Sequence, residues 1–137
     1  MLWPGYAHIV VVHVPLGVLV TAIGMEAYTS LRRRPLPEMT WLFSVGVAGA
    51  WLACLTGLAT RAWQARQGIL DDLAVRQMTN WHLGLSVMAT VIFSMALWLR
   101  VRHRSAIMSR WMWGMEAVGI VLLLVTAHLG GVLVHGA

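Results

Sequence analysis

Four apolar stretches, each long enough to cross a lipid bilayer, take up most of this chain. They run from about Tyr6 to Tyr28, Met39 to Thr60, Met78 to Leu99 and Trp111 to Val134. A bilayer's hydrocarbon core is about 30 Å thick, so about 20 consecutive apolar residues span it as a helix. Backbone amides in hydrocarbon must find their partners internally, and stretches this long without period-two alternation read as helices, not barrel strands. The expected fold is all-α, an integral membrane four-helix bundle with helices over about 6–30, 39–61, 78–100 and 111–135. Composition agrees. Of 137 residues 59% are apolar and 11% charged, with a mean hydropathy of +0.74, more apolar surface than a soluble domain of this size needs.

Charge and proline collect in the breaks. The first is Arg32-Arg33-Arg34-Pro35-Leu36-Pro37-Glu38. The second, from Arg61 to Gln77, holds Arg66, Gly68, Asp71, Asp72 and Arg76, enough polar material for a short amphipathic turn or helix on the surface. The third runs from Arg100 to Arg110. With no repeat and no long linker, residues 1–137 read as a single domain. The sequence has no lysine; the first and third breaks hold seven of its ten arginines and one acid, and the middle break sets three arginines against two aspartates. The positive-inside rule then predicts cytoplasmic first and third loops and both termini on the outer, periplasmic side.

The net charge of +5 follows mostly from this arrangement, and the arginine runs read as topogenic groups that bind lipid headgroups. Nucleic-acid binding is not suggested. The first stretch lacks a basic leader and is followed by an arginine cluster, which argues against a cleavable signal. Trp3, Trp63 and Trp81 fall near the outer boundary and Trp41, Trp98, Trp111 and Trp113 near the inner one, as in an aromatic belt. The single cysteine, Cys54, excludes an internal disulfide and reads as a small packing residue.

Function is carried by the histidines. On this topology His8, His13, His82, His128 and His135 lie toward the outer side, and only His103 is cytoplasmic. His13 and His128 fall at comparable depth on different helices. His13 heads a stripe with Gly17, Val20 and Gly24, and His82 one with Ser86, Ala89, Phe93 and Ala96, which leaves room for something flat. A lone histidine at a helix end is usually interfacial, and glycine stripes usually serve helix packing. Five polar rings gathered at one side of a bilayer point instead to a shared purpose.

Three purposes are chemically distinct. The first is axial ligation of b-type haem by imidazoles from facing helices, with Arg61, Arg66 and Arg76 placed to meet its propionates. The second is a zinc or copper site built from His13, His128 and Cys54. The third is metal-free proton handling or quinone binding. Glu26 and Glu116, each six residues inside an arginine cluster, would form a matched inner layer or pair structurally with those arginines.

The segment His8-Ile9-Val10-Val11-Val12-His13-Val14-Pro15-Leu16-Gly17, with Thr126-Ala127-His128-Leu129-Gly130-Gly131-Val132-Leu133-Val134-His135-Gly136, resembles a bacterial domain-of-unknown-function family of four-helix membrane proteins. There a His-Pro and a Val-His-Phe-Pro-Ile open the chain, and Thr-Ala-His-x-Gly-Gly with a later His-Gly closes it. The similarity spans nearly the whole sequence and departs at Ile9, where the family usually has proline. It maps family positions onto His8, His13, Pro15, His128, Gly130, Gly131 and His135, with His82 as the third-helix histidine. It also implies association with c-type cytochromes and other respiratory proteins, hence electron transfer.

The favoured axial candidates are His13, His82 and His128. His8 and His135 would complete a second haem site or hydrogen-bond near the outer edge, with Arg61 on the propionates. One or two haems b there would carry electrons between quinol and a periplasmic redox partner, within a larger respiratory or photosynthetic complex of a bacterial inner membrane. The competing class is a haem-free structural anchor subunit. No nucleophile, acid–base pair or nucleotide motif suggests an independent enzyme. Gly46, Ala50 and Gly57 on the second helix are expected to meet other subunits.

Overall fold

The computed structural model describes residues 4–32, 39–103 and 110–135. They form α1 (Pro4–Leu31), α2 (Thr40–Arg66), α3 (Leu73–His103) and α4 (Arg110–His135). All four are long and apolar enough to cross a membrane. The chain is therefore an all-α, four-helix membrane protein. Most of the first and third breaks, and Trp3, lie outside the described residues.

The middle break is much shorter than the charges suggest. Helix α2 continues to Arg66 and α3 begins at Leu73, because long polar side chains at helix ends let the backbone stay helical while their heads reach water. Only a single 3₁₀ turn, Ile69–Asp71, stands between them. Gly68 starts this turn with φ +72°, a left-handed conformation that favours a residue without Cβ. Asp72 then caps α3, its Oδ1 accepting from the Ala74 N–H at 2.8 Å and the Val75 N–H at 3.3 Å. Leu70 is buried and holds the turn down.

Packing is by hairpins. Helix α1 lies along α2 and α3 along α4; α2 and α3 join the two halves, while α1 and α4 touch only sparsely. Leu19, Ala22, Phe43, Val47, Ala89, Phe93 and Ala96 form the central core, with the Phe43 and Phe93 rings edge to face at 5.9 Å. On α1 the buried residues include Pro15, Leu19, Ala22 and Glu26, and on α3 they include Ala89, Phe93 and Ala96, the three-and-four spacing of a single helix face. Outward-facing side chains such as Val10, Leu55, Val121 and Leu124 are apolar, as contact with acyl chains requires.

One expectation is corrected by this packing. The Gly46, Ala50 and Gly57 face of α2 is covered by α1 within the same chain: a Cβ on Gly46 would stand 2.6 Å from Leu19, and one on Gly57 3.1 Å from His8. Small residues there let the two backbones approach, so the face is spent on the hairpin.

Several hydroxyls in the spans are satisfied locally. Ser44, Thr60, Ser86 and Thr126 each donate to the carbonyl four residues back, which removes a lone donor from hydrocarbon. Thr90 does the same with Ser86. Its oxygen is then free to accept from the Cys54 thiol at 3.4 Å, a link between α2 and α3.

Candidate functional site

His8 of α1 and His82 of α3 come from the two hairpins and meet across the bundle diagonal. Their ring centroids are 6.3 Å apart and their planes 88° apart. Each ring is held by its Nδ1. Thr56 gives its hydroxyl proton to the Ala53 carbonyl at 3.0 Å, so its oxygen accepts from His8 Nδ1–H at 3.0 Å. His82 Nδ1–H donates to the Thr126 carbonyl, also at 3.0 Å. An acceptor on each Nδ1 places the proton there and leaves the Nε2 lone pair available on both rings.

Each ring also rests on a glycine of its hairpin partner. A Cβ on Gly57 would lie 3.1 Å from His8 Cε1, and one on Gly130 would lie 3.0 Å from His82 Cε1. The two hairpins thus supply the same parts: a histidine from the first helix, and a threonine acceptor with a glycine seat from the second. Close by, Arg61 donates from Nη2 to Asn80 Oδ1 at 2.8 Å. Arg61 Nε and Thr79 Oγ1 are buried without a hydrogen-bond partner.

The other sequence-selected residues lie elsewhere. His13 is exposed on the outer face of α1 and bonds the Ile9 carbonyl at 2.6 Å; its companions Gly17, Val20 and Gly24 are exposed too. His128 is likewise exposed on α4. The structure therefore brings His82 together with His8, and not with His13 or His128. His103 and His135 end α3 and α4, and their side chains lie outside the described residues. Cys54 is buried against Thr90, and among the described residues no three His, Cys, Asp or Glu side chains converge as metal ligands.

A second polar cluster sits at the opposite end. Arg100 of α3 is held between Glu26 of α1, which it meets with Nη1 and Nη2, and Glu116 of α4, which it meets with Nη2. The side chains are 7%, 3% and 0% exposed respectively. The guanidinium carbon also lies 4.3 Å from the centre of the Phe43 ring, so all four helices contribute. The sequence marks both glutamates as an inner layer; their common partner is the arginine at the head of the third charge cluster.

These features define a class, a four-helix membrane bundle with a paired-imidazole site near one end and a buried ionic cluster near the other. The chain belongs to the family described as Predicted membrane protein (DUF2231), whose model matches residues 6–136. Comparison with curated proteins and with solved structures gives no match.

Proposed function

We propose that the protein is a b-type haem-binding membrane subunit in which His8 and His82 would hold the haem iron. The observation that carries this is the pair itself, two imidazoles from different hairpins, each fixed through Nδ1–H with Nε2 available. A metal–imidazole bond is about 2 Å and each ring centre lies roughly 1 Å further, so two imidazoles on opposite sides of one metal have centres about 6 Å apart. The pair's 6.3 Å separation matches that. Metal-bound histidines characteristically donate their second N–H to a carbonyl or similar acceptor, as both do here.

The surroundings suit the group as well. Arg61 Nε and Thr79 Oγ1, buried and without partners, are donors suited to a propionate. Helices α1 and α4 touch only sparsely, so on this reading a flat macrocycle would enter the bundle between them. The haem would supply one-electron chemistry; the chain fixes the tautomers and seats the rings. On this reading the subunit passes electrons between quinol and a periplasmic redox partner in a bacterial inner membrane, with the histidine end outward.

A scaffold reading has one observation in its favour: the same Nδ1 bonds tie α1 to α2 and α3 to α4 without any cofactor. The deciding experiment is an absorbance spectrum of detergent-purified protein, oxidised and then dithionite-reduced, with pyridine extraction to count haem. A reduced α-band of b type is expected. A featureless spectrum from cells with adequate haem supply would leave the scaffold.

A further inference from the structure

Among the described residues, the charge count of the Glu26–Arg100–Glu116 cluster does not close. Two carboxylates face one guanidinium in a setting where each unbalanced charge carries a penalty of a few kcal/mol. The groups that could close it are few. Helix α2 presents the uncharged Phe43 ring. On α3 the next cation, Arg102, is exposed and lies 5.2 Å from the centre of the Trp98 ring. Among the described side chains, α1 and α4 contribute the glutamates themselves. Among the described residues the cluster therefore keeps one negative charge in excess if both carboxyls are ionised.

The two glutamates are not equivalent. Glu26 engages both arms of the Arg100 fork through its two oxygens, the arrangement that best supports an ionised carboxylate. Glu116 receives Arg100 through Oε1 only. Its Oε2 is buried with no hydrogen-bond partner, and the residue is 0% exposed. An ionised oxygen left bare in an apolar interior is far more costly than a hydroxyl left bare in the same place.

We propose that Glu116 is a proton-binding site inside the bilayer, holding one exchangeable proton on Oε2 so that the cluster as a whole is neutral. The step is a simple equilibrium, carboxylate plus proton giving carboxylic acid. Glu116 lies six residues into α4, about 9 Å along the helix from its first residue, so the proton is exchanged from the arginine-rich end. This site stands independently of any haem at the other end.

The test is infrared spectroscopy of the full chain in lipid nanodiscs at neutral pH. A carbonyl band of a protonated carboxylic acid is expected, one per chain, shifting in heavy water and on labelling with ¹³C-glutamate. Glu116→Gln, which imitates the protonated side chain, removes the band and leaves the circular dichroism and melting temperature close to wild type. Glu26→Gln also removes it, because Glu116 then ionises opposite Arg100. If the wild-type chain shows no glutamic-acid band, the proposal fails, whatever the variants do. A band that survives Glu116→Gln overturns it too, by placing the proton elsewhere.

Discussion

His8 and His82 stand on helices whose backbones do not otherwise approach, yet their rings meet at 6.3 Å. Eighteen residues further along the same two helices, Glu26 and Arg100 meet in the same way. Eighteen residues is five full turns, so each helix presents both of its polar groups on one face, about 27 Å apart. The diagonal α1–α3 contact is thus bridged at its two ends by side chains and filled between them by Leu19, Ala22, Phe93 and Ala96.

Substituting His8 or His82 by alanine is expected to abolish the b-type spectrum, whereas His13→Ala and His128→Ala, on the outer faces, leave it in place. Haem per protein from pyridine extraction measures this. Loss on His13→Ala with retention on His8→Ala would reverse the ligand assignment.

Thr56→Val keeps the shape of the side chain and removes the oxygen that accepts from His8 Nδ1–H. Loss of such an orienting partner typically weakens metal affinity by about 10- to 100-fold. Haem retention during dilution or competition should fall accordingly, with little change in helix content.

The glycines divide into two groups. A Cβ on Gly46 would come within 2.6 Å of Leu19 and one on Gly119 within 2.7 Å of Phe93, whereas Gly17 and Gly24 have nothing within 4 Å. Alanine at Gly46 or Gly119 is expected to destabilise by about 1–3 kcal/mol through overpacking. At Gly17 or Gly24 it should be neutral or mildly stabilising, since alanine is the better helix former. Thermal unfolding in detergent distinguishes the groups.

Removing Arg100 leaves two buried carboxyls with no cation between them. Arg100→Gln is expected to destabilise by roughly 3 kcal/mol, the low end of the range for a broken buried ion pair, because protonation relieves part of the loss. Arg102→Gln, at an exposed position beside Trp98, should change little. Denaturation in mixed micelles gives both values.

The fold was legible because length and apolar content are averaged over some twenty residues at a time, and bilayer thickness sets the same length. Helix ends were less so, since Arg61, Arg66 and Arg76 read as loop residues and yet sit on helices. The histidine end could be located from topology, but the facing pair could not be picked by following small residues. In a membrane protein glycine lies on either face, and the His13, Gly17, Val20 and Gly24 stripe points outward. A better guide was present in the buried charge: a glutamate in a span faces inward, and Glu26 shares its face with His8, not with His13. Which threonine or glycine meets each ring depends on hairpin register, which sequence periodicity does not encode.

The division of the ionic cluster between hairpins bears on biogenesis. The chain is made from its N-terminus, so the first two spans enter the membrane with Glu26 before Arg100 has been synthesised. Until the third span arrives, that carboxyl has no cationic partner in the helices already inserted, and the early hairpin is only provisionally settled. Arrival of α3 delivers the missing guanidinium and the second imidazole together. Both diagonal pairs, one toward each end of the bundle, thus wait on a single helix.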